Sequence, residues 1–260
     1  MYFIANWKMN PVSLKEAKNL LKNIKTRISK VNKSKIAKII VCPPAIYLPK
    51  LATKNKLLDY GVQNIAWIQQ GAITGEISIL MAKEFAIKYC IVGHSERKQF
   101  LCESDRYINE KIKLCLKNNI IPIFCIGENL EQKESGQTGK VLKEQIFQGL
   151  QNVDQRQVKK IIIAYEPVWA ISSQQNSQPS NPDSVLEATI IIKKALLNLY
   201  GRETSGQIPI IYGGSVNKDN VLDYIGGNIE GFLIGSASLN AYDFISIIEK
   251  SLIKLIQGDK

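Results

Sequence analysis

Eight short apolar runs, each followed by a longer amphipathic or polar stretch, constrain this chain more than any other feature of its 260 residues. The runs are Tyr2–Lys8, Lys38–Cys42, Tyr60–Ala66, Tyr89–Gly93, Ile120–Ile126, Lys160–Tyr165, Ile208–Tyr212 and Gly231–Ile234. They are continuously apolar rather than alternating, which suits parallel strands covered on both faces. Between them the sequence suggests helical stretches: residues 13–29, with Ser13 and Glu16 at capping-box spacing, and a segment from Pro43-Pro44 to about residue 58. Others are expected near residues 79–87 and 105–118, in a long polar stretch reaching residue 152, near 183–200, briefly after Asn217, and over 241–256. Eight such units without a break in composition predict an α/β fold, a closed (β/α)₈ barrel forming one domain over residues 1–260. An open doubly wound sheet fits less well, because no glycine-rich dinucleotide fingerprint follows the first run.

Composition narrows the function. The formal charge is +11, from 34 Lys+Arg against 23 Asp+Glu. The lysines are scattered at helical spacing, with no arginine-rich run and no aromatic–basic interleaving, so a nucleic-acid surface is not expected. A positive field does favour a small anionic substrate. Five cysteines, none at CxxC spacing, argue against a zinc site or a disulfide framework and for a reducing compartment. No run reaches the length of about 20 residues that spans a membrane, and Met1–Asn10 lacks the pattern of a signal peptide. A cytoplasmic protein is expected, with no membrane association and no metal.

In a barrel of this kind the active site gathers where the strands end. The first run ends in Asn6-Trp7-Lys8, and a period of two puts Asn6 and Lys8 on one side. The fourth ends at His94, the only histidine, followed by Ser95-Glu96-Arg97, residues suited to a first helical turn. The sixth ends at Glu166, the seventh in Tyr212-Gly213-Gly214-Ser215, the eighth in Gly235-Ser236. A lone histidine is most often a core residue, a terminal lysine a solvated charge, and Gly-Gly-Ser a turn. Converging on one mouth, they describe a site for a small phosphorylated carbonyl compound. The turns after the seventh and eighth strands offer N–H groups to phosphate, Lys8 neutralises charge, Glu166 removes a proton and His94 polarises an oxygen.

The motifs also carry a family likeness. Ala5-Asn6-Trp7-Lys8-Met9-Asn10, Gly71-Ala72-Ile73-Thr74-Gly75-Glu76, Val92-Gly93-His94-Ser95-Glu96-Arg97, Cys125-Ile126-Gly127-Glu128, residues 164–171 (Ala-Tyr-Glu-Pro-Val-Trp-Ala-Ile) and Tyr212-Gly213-Gly214-Ser215-Val216 occur in order. Over essentially its whole length the chain resembles triosephosphate isomerase. The resemblance implies interconversion of dihydroxyacetone phosphate and glyceraldehyde 3-phosphate without a cofactor. Glu166 is then the base, His94 a neutral electrophile, and Lys8 with Asn6 the stabilisers of the enediolate oxygen. Ser95 and Glu96 become supports for His94 and Lys8, and Cys125 a neighbour of the base with no chemical role. Ser172, Ser215, Gly235 and Ser236 become substrate-binding positions. The loop Gln69–Glu76, with Thr74 near its tip, implies a homodimer in which it enters the partner's active site.

Two departures from the family pattern stand out. Ser172-Ser173-Gln174 replaces the usual Gly-Thr-Gly of the lid, in a segment longer by about three residues as aligned. Ser236 replaces the second glycine of the eighth turn. Both serines keep the N–H that phosphate requires, so a variant with full activity is the favoured reading. The alternatives are another phosphate-binding barrel enzyme, such as an aldolase or epimerase, and a non-catalytic barrel that binds a phosphorylated ligand with a variant lid.

Overall fold

The computed structural model describes residues 1–31, 37–53, 56–171, 180–226 and 228–258. Eight parallel strands close into a barrel in sequence order: β1 Tyr2–Asn6, β2 Lys38–Cys42, β3 Asp59–Val62, β4 Ile87–Val92, β5 Ile121–Ile126, β6 Ile162–Tyr165, β7 Ile210–Tyr212 and β8 Gly231–Ile234. The β1–β2 register runs from Tyr2↔Lys38 to Asn6↔Cys42, and closure pairs Tyr2 with Gly231 through Ala5 with Ile234.

The lack of alternation in the runs has a direct physical reason. Ile4, Ile40, Ile91, Ile123, Ile162 and Leu233 point into the barrel and fill it. Their neighbours Phe3, Val41, Val92, Phe124, Ile163 and Phe232 point outward beneath the helices. Each fully buried aliphatic or aromatic side chain of this kind contributes about 1.5–3 kcal/mol, and both faces contribute. The helical layer includes Leu14–Val31, which packs against Ala241–Gly258 beside the seam where β8 meets β1. Ser13 caps the first of these, its Oγ accepting the N–H of Glu16 at 3.2 Å.

The structure departs from the sequence reading at several element ends. The first strand stops at Asn6 rather than Lys8, because Lys8 turns into the left-handed region with φ 51°. The segment after Pro43-Pro44 is a 3₁₀ turn, Ala45–Tyr47, and a single helical turn, Leu48–Leu51, ended by extended Ala52. The long polar stretch after β5 is three helices, Leu130–Glu134, Thr138–Gly149 and Gln155–Val158, the first two parted where Gly136 takes φ 70°. A helix Ser95–Leu101 directly follows β4 and ends at left-handed Cys102, before Ser104 caps Asp105–Lys117. The helix Pro182–Ser205 runs past residue 200, with a non-helical Gly201 inside it.

Candidate active site

Lys8 reaches the barrel mouth by a turn rather than by strand alternation. Its N–H donates to Asn6 Oδ1 at 3.1 Å, and its carbonyl accepts from Gln63 Nε2 at 2.9 Å. The same Gln63 nitrogen also donates to the Cys42 carbonyl at 2.9 Å, tying the β1, β2 and β3 exits together. Beyond this clamp the Lys8 ammonium lies 2.5 Å from Glu96 Oε1. A Cβ added at Gly235, the β8 exit, would stand 3.4 Å from Lys8 Cε, so the first and eighth strand ends meet here.

His94 is the N-cap of the helix Ser95–Leu101, and its Nδ1 accepts the N–H of Glu96 at 3.3 Å. An accepting Nδ1 carries a lone pair, so the ring proton of this neutral tautomer sits on Nε2. Nε2 faces Glu166 Oε1 at 3.4 Å. Glu166 is 1 % exposed. Its Oε2 accepts the N–H of Ser95 at 3.1 Å, while Oε1 has no hydrogen-bond partner. A buried carboxylate oxygen left unbonded beside an imidazole N–H is costly in a purely structural setting and useful in a reactive one.

The Glu166 backbone is fixed by the strand beside it. Its N–H donates to the Ile126 carbonyl at 2.7 Å, and its own carbonyl passes so close to Gly127 that an added Cβ would come within 1.8 Å of it. Backbone cannot yield as a side-chain tip can. Gly127→Ala is therefore expected to destabilise the fold by about 3 kcal/mol or more, read as a lowered midpoint of chemical unfolding. A midpoint within error of the parent would contradict this packing.

One small cavity is lined by Asn6, Lys8, His94, Glu166, Ile171, Gly213, Gly214, Leu233 and Gly235. Gly213 is required by the site's own base, since a Cβ there would lie 2.8 Å from Glu166 Cγ, and Gly214 by the Tyr212 ring, whose Oη would be 2.2 Å from an added Cβ. Ser215 and Ser236 do not line this cavity. The Ser215 N–H donates to the Ala170 carbonyl at 2.9 Å and so ties the β7 turn to the segment after β6. Ser236 is exposed and starts the 3₁₀ turn Ser236–Leu239. Ser172, with the rest of the departing lid sequence through Pro179, falls outside the described residues.

Several residues at the site went unassigned in the sequence. Gln63 is one, a polar residue just past β3. Glu128 is another: it accepts from Tyr165 Oη at 3.1 Å and Trp169 Nε1 at 3.1 Å and so anchors the segment leaving Glu166. Burial raises the Glu128 carboxyl above its ordinary value against these hydrogen bonds. Lys133 lies 3.3 Å over the Trp169 ring and completes the anchor. An acidic residue at a strand exit was the signal available for Glu128. Cys125 packs inside the barrel beside the base; burial first, then the Glu166 carboxylate, hold its thiol well above the usual range. Such a thiol stays protonated and is a poor nucleophile.

Carboxylate, imidazole N–H and ammonium thus face one space, arranged to move a proton between adjacent carbons while charge grows on oxygen. Among the described residues, no group of three or more His, Cys, Asp or Glu side chains is placed to hold a metal ion, and no helix is long and apolar enough to cross a membrane. The five cysteines are free.

Comparison with known proteins bears on the family. A family model described as triosephosphate isomerase matches residues 1–251. The chain is similar to the triosephosphate isomerase of Dictyoglomus turgidum, 38% identical over 247 residues, covering 94% of this chain and 96% of the relative. It is likewise 38% identical over 246 residues to that of Caldanaerobacter subterraneus, covering 94% and 96%. The Clostridium tetani protein of the same name is 37% identical over 246 residues, covering 94% and 93%.

Proposed function

This chain belongs to the triosephosphate isomerase family, and on that premise we propose how its barrel mouth interconverts dihydroxyacetone phosphate and D-glyceraldehyde 3-phosphate, a step of glycolysis and gluconeogenesis. The division of labour between a glutamate base and a neutral imidazole is taken over from the family. Glu166 removes the proton beside the substrate carbonyl and returns it to the neighbouring carbon. His94 donates from Nε2 to the oxygen that becomes enediolate, and Lys8 with Asn6 stabilises the charge there. Ser172, Ser215, Gly235 and Ser236 belong to the phosphate side of the reading, and the whole of residues 1–260 to one catalytic domain.

One observation carries the assignment. The unbonded Oε1 of Glu166 and the Nε2 of His94, whose Nδ1 is already occupied, face each other at 3.4 Å, in the cavity that Lys8 also lines. The test is turnover of glyceraldehyde 3-phosphate by the purified protein. Rapid conversion is expected; binding of a phosphorylated analogue with no turnover would instead favour the non-catalytic barrel.

The reading extends to a homodimer in the cytoplasm. A groove beside the site is lined by Lys8, Gln63, Asn64, Glu76, Glu96 and Phe100. Apolar side chains stand exposed around it, Met9 at 90 %, Phe100 at 66 % and Leu101 at 62 %. Exposed apolar surface rimmed by charge marks an interface, and the exposed residues of the loop Gln69–Glu76 are suited to enter the partner's groove. Phe100→Asp is expected to weaken the dimer about 30-fold or more, on the scale of about 2 kcal/mol for a buried interface anchor. Sedimentation equilibrium measures this, and an unchanged dimer would remove this face from the interface.

A further inference from the structure

We propose that a second cavity, behind Glu166 and outside the barrel mouth, binds a short-chain monocarboxylate that slows the enzyme by acting on its base. This cavity is about 310 Å³ and lies between the helix Ser95–Leu101 and the loop after β5. A volume of this size suits a small organic ligand. Among the described residues, Glu166 is the one that lines both this cavity and the mouth cavity. The catalytic carboxylate is therefore a wall between them.

Of two polar groups in the cavity, one is buried without a partner and the other has only a carbonyl as its hydrogen-bond acceptor. Ser95 is 6 % exposed, and its Oγ has no hydrogen-bond partner, although its N–H holds Glu166 Oε2. Lys98 donates from Nζ to the carbonyl of Cys125 at 3.2 Å. A carbonyl is a weak counterpart for an ammonium drawn out of water, and a carboxylate is the natural one. Desolvation lowers the Lys98 pKa, while Asp105, Glu166, Glu103 and the Cys125 thiol oppose that shift from around it. The carboxylates of Asp105, Glu166 and Glu103 around it favour a singly charged ligand over a phosphate dianion. Ile126 and Val168 supply an apolar wall for a short hydrocarbon tail.

A carboxylate seated on Lys98 and Ser95 adds negative charge behind Glu166. Repulsion shifts the Glu166 carboxylate off the position in which the Ser95 N–H holds it, and a displaced base lowers kcat, whereas competition for the substrate site would raise KM alone. The kinetic arm of the test rests on the isomerase reading; direct binding does not. Butyrate is the probe, measured by calorimetry and by steady-state kinetics on the full chain.

Wild-type protein should take up butyrate in the millimolar range with a fall in kcat. Lys98→Met should weaken uptake tenfold or more. Gln99→Trp, which fills the cavity from its exposed rim, should do the same with basal turnover kept, and it carries the test if Lys98→Met does not fold. No butyrate heat at tens of millimolar, uptake unchanged in a folded variant, or a rise in KM alone would each overturn the proposal. Uptake that Lys98→Met abolishes, in a protein without isomerase turnover, would uphold the site and sink only the isomerase reading.

Discussion

Glu166→Gln is expected to lower kcat by about 10³-fold, the usual scale for loss of a general base, while the melting temperature holds or rises. The two halves of this expectation come from the same geometry. Glutamine keeps an oxygen that can accept the Ser95 N–H, now 3.1 Å from Oε2, so the side chain stays in place. What it loses is a charge that is 1 % exposed and has one oxygen unbonded. Removing an incompletely satisfied buried charge does not weaken a fold. KM should change little, because Glu166 acts on the carbon and not on the phosphate. Glu166→Asp isolates position from charge: it keeps a carboxylate but withdraws it by about 1.5 Å, one carbon–carbon bond. A displacement of that order costs about 10²-fold. Steady-state kinetics and thermal unfolding of both variants decide the matter. Turnover of Glu166→Gln within tenfold of the parent would remove Glu166 as the base, and a large fall in melting temperature would assign the loss to unfolding.

The barrel was legible because its strands are buried twice. Ile4 faces in and Phe3 faces out, and both are fully buried, so each run shows no polar face and announces a parallel sheet under helices. Gly231–Ile234 and Lys38–Cys42 were bounded correctly because turn residues or prolines flank them. Some of the breaks that hydrophobic runs do not show are set by single backbone torsions. Lys8, Cys102 and Gly136 each take a positive φ, and nothing in hydrophobic periodicity reports a torsion. Asn6 and Lys8 do reach one cavity, but through the Asn6 cap and the Gln63 clamp rather than through the alternation that suggested it. The side chains lining the mouth were findable as polar residues at the ends of apolar runs. Their supports were less so: the Glu128 contacts to Tyr165 and Trp169 span 37 and 41 residues of sequence. The β7 turn shows the same gap. Its glycines read as room for an anion, whereas Gly213 is also required by the Glu166 side chain packed against it.

Lys8→Met is expected to lower kcat/KM by about 10³-fold, at the upper end for removal of one preorganised oxyanion donor. Both parameters should move, since the ammonium meets an anionic substrate as well as the enediolate. Stability should fall much less. The Lys8–Glu96 pair is short at 2.5 Å, but its side chains are 21 % and 28 % exposed, so water can reach Glu96 when the ammonium is gone. A loss of about 1 kcal/mol is the scale for such a pair. The double variant Lys8→Met/Glu96→Gln separates the two roles. Removing the carboxylate that has lost its ammonium should recover most of the stability, yet leave kcat/KM as low as in Lys8→Met. Recovery of turnover in the double variant would mean that the lysine serves only to neutralise Glu96, and the oxyanion would then depend on His94 and Asn6 alone. With Lys8 held at φ 51° by hydrogen bonds to both its N–H and its carbonyl, the backbone is built to deliver a charge to the mouth, and the double variant asks whether the charge is what matters there.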